Sequence, residues 1–476
     1  MLKSIRLQHF RSFEESAEAI VAPITLIYGA NSAGKSSIIK SLLLLKQSLG
    51  DRGEAASSLR FDGPIVDLGS ARAVAHGHSF ESPIRISIVF EISKTDQSRL
   101  SGSITFEVSS DEAKEDRLEI ALQILGNSFV FRFEEKFIPN RCFVLEPMSR
   151  SIFDEAMNVL ATQNSRLELF PDLSTPSDPP VFAVSDLLPS VIVGRVSRRQ
   201  TVKTEKIILS PSEQYWNDFL ASELRTVFIE AVDRVSYLGP LRKSPNRFEL
   251  LDRSSGLKGV GKQGEYAFSV LKRDDTLLER VNKSLRKHLE SPYALELPTW
   301  PEENDGVVRD LLPVSIVPVL RHVESGVAIS IADAGFGLSQ LLPFLIEMEA
   351  RQNTLICIEQ PELHLHPRLQ SRMAETLLMS ERGGNRNRFL IETHSEHLLL
   401  RIQRMIRDGR LSSSDVSILY VDNQDPIFSE SGEIIEQVSS LKSRIVQIRL
   451  DKYGDMIDPW PGGFFDERFE ELGFGR

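Results

Sequence analysis

The stretch ITLIYGANSAGKSSIIKSLLLL, residues 24–45, restricts the possible folds more than any other part of the chain. An apolar run stops at Gly29, a short loop carries a second glycine at Gly34, and a leucine-rich run without a helix breaker follows. That order predicts a buried strand, a tight loop and a helix. From Gly29 to Ser36 the chain reads glycine, four residues, glycine, lysine, serine, the pattern of a phosphate-binding loop. Glycine lets the backbone curl until successive N–H groups point at one anion. In such a loop Gly29, Asn31, Ser32, Ala33 and Gly34 form the cradle, and the helix start at Ser36 and Ser37 adds positive potential. Lys35 is placed to reach the β- and γ-phosphates, and Ser36 to ligate Mg²⁺. The bare pattern arises by chance in roughly one such chain in a hundred. With the strand before it and the helix after it, nucleotide binding is the reading.

The chain has 476 residues, enough for two or three domains, and 41% of them are apolar and 26% charged, as in ordinary globular proteins. A net charge of −11 argues against a uniformly basic surface that coats nucleic acid, while leaving room for a local basic groove. Cys142 and Cys357 are the only cysteines, which indicates neither a disulfide framework nor a cysteine-based zinc site and fits a reducing compartment. The opening MLKSIRLQHFRSF alternates polar and apolar residues instead of forming a signal core. No apolar run approaches the ~20 residues that span a bilayer. A cytoplasmic location without membrane contact is expected.

SIRLQHFRSF and APITLIYGA read as two strands that open the fold. From about Pro83 the period changes. Ile84, Ile86, Ile88, Phe90 and Ile92 alternate with polar residues, as do Ile104, Phe106 and Val108, then Leu118, Ile120, Leu122 and Ile124. Gly126-Asn127 offers a turn before Phe129, Phe131 and Phe133. Period-two alternation between turns predicts an antiparallel sheet covered on one face. PDLSTPSDPP, residues 171–180, reads as a surface loop, and GRVSRRQTVKTEK is the densest basic stretch, read as a solvated loop or strand edge in preference to a nucleic-acid contact. Ser210-Pro211-Ser212-Glu213 has the form of a helix start, with the helix running to about Val235. The resulting division is 1–80, 81–235 and 236–476.

Three further segments carry chemistry. DAGFGLSQLLPFLIEM, from Asp333, places a glycine pair before Ser339 and Gln340 and then an apolar helix-like run. LICIEQPELHLHP delivers Glu359 to the end of a buried strand some twenty residues later. FLIETHSEHLL ends another apolar strand near Thr393-His394, where an imidazole can orient a γ-phosphate or a water.

In order and spacing these four segments resemble the phosphate loop, signature loop, magnesium-binding strand and switch histidine of ABC-type ATPases. IRLQHFRSF, GANSAGKSS and EQPELHLHP resemble the RecF, SMC and OLD branch of that superfamily. YLGPLRKSPNRF at 237–248, VGKQGEY at 260–266 and the terminal WPGGFFDERFEEL resemble a largely bacterial group of stand-alone ATPases, several in anti-phage defence systems such as the Septu- and PARIS-like ones. The resemblance covers about 1–80 and 235–476 and is poor between them. It implies an α/β fold: an ABC-ATPase-type P-loop NTPase head (1–80 and 236–476) with a β-rich antiparallel insertion plus helices (81–235) and a helical signature subdomain. It also implies ATP and Mg²⁺ as cofactors and a homodimer or higher homo-oligomer. Two copies would pair head to tail, with Gly337, Ser339 and Gln340 of one facing ATP on Lys35 of the other. Here the family's Leu-Ser-Gly-Gly-Gln reads Phe-Gly-Leu-Ser-Gln.

Glu359 falls where the family has its magnesium-orienting acid, so Ser36 and Glu359 are the expected metal residues. Gln360 falls on the usual general base. An amide orients water but cannot accept its proton. Glu362 is the nearest remaining carboxylate and takes the base role, with slow or partner-dependent hydrolysis as the alternative and Glu359 itself as base in a register shifted by one. The catalytic set is Glu362, Glu359, Gln360 and His394. His364 and His366 lack the accompanying ligands of a zinc site and read as interface loop residues.

OLD-type nucleases continue into a nuclease domain, for which the fifty or so residues after SILYVDNQD leave no room, so any cutting is expected from a separate effector protein. The functional expectation is an ATPase that oligomerises around ATP and controls such an effector, a nuclease in phage defence, with nucleic acid kept as a candidate ligand. An ATP-gated scaffold with little turnover and a transporter ATPase subunit are the alternatives.

Overall fold

The computed structural model describes residues 1–49, 59–79, 81–92, 102–110, 117–124, 127–137, 141–145, 180–185, 188–196, 202–203, 225–251, 259–300, 315–423, 427–428, 434–436 and 442–461. The loop expected at 171–180 except Pro180, the basic run beyond Val196 except Val202–Lys203, the helix start at Ser210 and the terminal box beyond Pro461 lie outside them. Two compact units divide the chain. One takes Met1–Ile20, Asn31–Asp233 and Asp422–Ile445, and the other takes Val21–Ala30, Arg234–Val421 and Val446–Arg476. One step between the units falls at Asp233/Arg234, and none falls at 80/81.

The second unit is built on parallel strands in the order Val235–Leu238, Leu355–Glu359, Arg388–Glu392, Ile24–Gly29, Val416–Asn423. Every residue of Ile24–Gly29 and of Leu355–Glu359 is buried. A strand with parallel neighbours on both sides, covered above and below, must be apolar on both faces, hence the continuous runs ITLIY and LICI. Helices Pro367–Arg382 and Glu396–Arg407 make the crossovers from Leu355–Glu359 to Arg388–Glu392 and on to Val416–Asn423. Their apolar stripes (Met373 and Leu377; Leu398, Ile402 and Met405) pack with Ile24, Leu26, Ile356, Ile358, Phe389 and Ile391 in one core. Parallel pairing brings the carboxyl ends of these strands to one edge: Glu359 lies opposite Glu392, and Glu392 opposite Ile27. Loops at that edge are where an open parallel sheet binds its ligands.

The same unit holds the helices Ala267–Lys272, Asp275–Lys287 and Phe336–Ala350 with two small three-stranded sheets. Glu347, on the last helix, is buried and accepts hydrogen bonds from Ser236 Oγ, Val260 N (2.8 Å) and Arg351 Nε (2.7 Å).

The first unit contains an eleven-stranded antiparallel sheet. It runs Val202–Lys203, Leu188–Val196, Pro180–Ser185, Arg141–Leu145, Asn127–Phe137, Arg117–Ile124, Gly102–Ser110, Ile84–Ile92, Leu2–Phe10, Phe13–Glu15, and Ala19–Ile20 also pairs with Leu2–Phe10. The alternation is borne out where side chains are described: Ile84, Ile86, Ile88 and Phe90 are buried, and Arg85 between them is exposed. The sheet does not begin at residue 81 as expected, because Leu2–Phe10 has the same period-two pattern and pairs directly with Ile84–Ile92. The two opening strands thus enter different sheets. Helix Arg225–Asp233, the described end of the longer helix expected to Val235, inserts Phe228 between Phe90 (6.4 Å) and Phe106 (4.4 Å). Helix Lys35–Leu49 is buried nearly all round, through Ile38, Ile39 and Leu42–Leu45 and also through Ser37, Ser41 and Ser48, and Lys46 Nζ donates to Asp233 O at 3.1 Å.

Candidate nucleotide site

Gly29 closes its strand at φ 141°, Ser32 turns at φ 64° and Gly34 at φ 98°, so the loop curls three times in six residues. Two of these turns are glycine for separate reasons. A Cβ on Gly29 would lie 2.1 Å from Val421 O of the adjacent strand, and one on Gly34 would lie 2.1 Å from Ser12 Oγ. Ser443 holds the loop in shape: its Oγ donates to Ala33 O (2.7 Å) and its N–H to Ser12 O (2.9 Å). Ala30, Asn31 and Ser32 are exposed, Lys35 is buried, and Ser37 N bonds back to Gly34 O at 2.9 Å as the helix begins. The strand, curled loop and helix predicted from residues 24–45 are all present.

The acidic edge is built within the other unit. Glu359 is buried, and Tyr237 Oη donates to its carboxylate at 3.1 Å. Arg242 Nη2 donates to the Glu359 carbonyl at 3.2 Å. Burial holds the Arg242 guanidinium down at about 10, against the opposing pull of Glu362. The Tyr237 hydroxyl is pushed well up, first by burial and then by the Glu359 charge.

Directly after the strand, Gln360 adopts φ 46° and its N–H donates to Glu392 O at 2.7 Å. This left-handed residue turns the chain so that Glu362 comes back to the next strand's end. There the two Glu362 oxygens accept from His394 N (2.7 Å) and Thr393 Oγ1 (2.8 Å). Glu362 occupies a recess, partly exposed yet surrounded by protein, and burial raises its carboxyl above the usual range despite those bonds. A carboxylate with a raised pKa that remains reachable by water is suited to accept a proton. Thr393 N donates to Ile27 O at 3.0 Å, Tyr28 Oη to Ser395 O at 3.0 Å, and Ser395 Oγ to Gln370 Oε1 at 2.7 Å. Glu359, Gln360, Glu362 and His394 therefore lie together at one edge of the sheet.

The signature segment forms helix Phe336–Ala350, capped by Gly335. A Cβ on Gly337 would lie 2.8 Å from His364 O, so the turn packs its backbone on the loop that follows Glu362. Ser339 and Gln340 are buried at 6% and 4% exposure, and Gly335 ahead of them is exposed. Pro343 packs against Gly264, and its ring removes the N–H that would bond the Ser339 carbonyl. His366 caps helix Pro367–Arg382 through Nδ1, which accepts from Arg368 N at 3.2 Å, and His364 is exposed with φ 63°.

Tyr237 and Arg242 are the residues that motif spacing misses. A signal existed in YLGPLR, a tyrosine, glycine, proline and arginine closing a short apolar strand. The motifs 237–248 and 260–266 are stitched together by Gly239 N to Lys262 O and Lys243 N to Gln263 O, both 2.8 Å.

A protein-family profile described as "AAA domain, putative AbiEii toxin, Type IV TA system" matches residues 24–138 and 207–401, about two thirds of the chain. The match takes in the phosphate loop, the acidic edge and His394, and it extends into the segment where the sequence resemblance is poor. No curated protein matches the chain. Among solved structures it is similar to the SMC head domain from Thermotoga maritima, at 11% identity and TM-score 0.40, covering 94% of this chain and 99% of that one. An SMC head bound to the C-winged helix domain of ScpA gives 13% and 0.41 over 95% and 99%. An SMC head with an extended coiled coil, bound to the C-terminal domain of ScpA derived from Pyrococcus furiosus, gives 10% and 0.38 over 99% and 98%.

Proposed function

The chain belongs to the AAA-domain family, with an α/β P-loop ATPase fold, and from that premise we propose that it binds and hydrolyses ATP as an oligomer that controls a separate effector. The observation that carries the nucleotide reading is the curled loop Gly29–Gly34, set between a fully buried strand and helix Lys35–Leu49. In this reading Lys35 binds the β- and γ-phosphates, Ser36 and Glu359 hold Mg²⁺, and Glu362 accepts the proton of the attacking water. His394 orients the γ-phosphate side of the reaction. Gln360 serves as the turn that delivers Glu362, which explains why an amide is acceptable at that place.

Two copies pair head to tail around ATP. Because Ser339 and Gln340 are buried, the contact with the second copy's nucleotide is assigned to the backbone of the Gly335–Gly337 turn at the positive end of a helix. The output, a nuclease-type effector in anti-phage defence, rests on the sequence resemblance alone. Among the described residues no helix is long and apolar enough to cross a membrane. A scaffold that binds ATP with little turnover is the second reading, favoured by Gln360 in the place of the usual base.

Fluorescent-nucleotide titration tests the core. Lys35→Ala is expected to lower ATP affinity by about two orders of magnitude, and unchanged affinity removes the phosphate-loop assignment. Glu362→Gln is expected to reduce turnover about a hundredfold while ATP-dependent assembly, read by light scattering, persists. Turnover equal to wild type would transfer the reading to the scaffold.

A further inference from the structure

Gln360 leaves the edge one carboxylate poorer than the usual paired acids, and the neighbouring strand supplies another. Glu392 is register-paired with Glu359 in the parallel sheet. Residues so paired project their side chains to the same face from backbones about 4.8 Å apart. Glu392 is as buried as Glu359, at 5% against 6% exposure. Among the described residues its Oε2 has no hydrogen-bond partner. The Tyr237 hydroxyl donates to Glu359 at 3.1 Å and also feels the charge of Glu392.

Two adjacent buried carboxylates repel, and Glu392 Oε2 has no donor among the described residues to offset that repulsion. A divalent cation offsets it. Mg²⁺ keeps several waters and is ordinarily held by one or two carboxylates together with substrate phosphates, so a pair without further protein ligands suffices.

We propose that Glu392 is the second acid of the magnesium site, holding the hydrated cation together with Glu359 and taking the place left by Gln360. The proposal rests on the nucleotide reading above and adds a residue that the phosphate-loop and acidic-strand motifs do not include. The unpartnered Oε2 is the atom that would accept from a cation-bound water.

The test uses the full chain with a non-hydrolysable ATP analogue and Mn²⁺, whose free signal is followed by electron paramagnetic resonance. Glu392→Gln is expected to weaken nucleotide-dependent Mn²⁺ binding about tenfold, leave metal-free analogue affinity unchanged, and match Glu359→Gln in direction. Glu392→Asp, which keeps the charge but shortens the side chain, is expected to weaken it less and provides the reading should the glutamine variant not fold. A Glu392→Gln titration that superimposes on wild type, with Glu359→Gln still impaired, overturns this proposal alone. Wild type without nucleotide-dependent Mn²⁺ binding overturns it together with the nucleotide reading.

Discussion

The two strands that open the chain, Leu2–Phe10 and Ile24–Gly29, are separated by little more than a hairpin's length yet enter sheets of opposite character. The first alternates, joins an antiparallel sheet and brings no catalytic group. The second is apolar throughout, joins a parallel sheet and ends in the phosphate loop. An antiparallel strand reverses at each turn, so its two ends alternate between opposite edges and chemistry is not collected. A parallel sheet sends every strand's carboxyl end to one edge, so Gly29, Glu359 and Glu392 converge without any loop having to search for them.

If position in the parallel sheet is what matters, the two glycines of the loop should differ sharply on substitution. Gly29→Ala places a methyl against a backbone oxygen of the adjacent strand, which cannot move without breaking the ladder, at a φ that L residues rarely adopt. A loss of about 4 kcal/mol or failure to fold is expected. Gly34→Ala meets the Ser12 hydroxyl, which can rotate away, and should cost about 1–2 kcal/mol. Chemical denaturation of the two variants compares them directly. Equal losses would mean that the Val421 contact is not what fixes Gly29.

The core comparison is smaller. Ile391 and Ile86 are both fully buried. Ile391→Ala removes a side chain from the parallel core and is expected to cost about 4 kcal/mol, whereas Ile86→Ala, in a sheet alternating towards exposed Arg85, is expected to cost about 3 kcal/mol. Reversal of that order would locate the stability of the chain in the antiparallel sheet.

The difference between the sheets also explains what was legible beforehand. Gly29, Gly34 and Lys35 could be read because local backbone geometry demands those residue types in a fixed order. Glu359, Glu362 and His394 could be read because each lies just beyond a short apolar run. YLGPLR marks Tyr237 and Arg242 only as the close of a short apolar strand, while their role comes from the pairing of Val235–Leu238 beside Leu355–Glu359, more than a hundred residues away. Glu392 stood in plain view in ETHS, but only register reveals that it faces Glu359. Burial of Ser339 and Gln340 was likewise invisible: a helix start tells which residues follow the glycine pair, not which of them point inward.

The last contrast lies on the helices that carry the crossovers, and it separates structural acids from those at the sheet edge. Glu375 is buried beneath Arg401 and Arg410, with Arg410 Nη1 at 2.9 Å and Arg401 Nε at 3.0 Å. The Arg410 hydrogen bond, with Arg401 behind it, holds this carboxyl down at about 2. Glu362 shifts the opposite way because burial outweighs its hydrogen bonds from His394 and Thr393 and the pull of Arg242. A carboxyl with a depressed folded-state pKa adds stability above its unfolded value near 4.3 and loses that contribution as pH falls towards about 2. Both arginines remain partly exposed and hydrated, so Glu375→Gln should cost only about 2 kcal/mol at pH 7. The gap between variant and wild type should hold down to about pH 4 and close below it. Urea melts at pH 7 and pH 3 measure this. A gap that stayed constant across the range would show that Glu375 contributes shape and not charge, leaving the acids at the sheet edge as the only ones in the comparison whose ionisation matters.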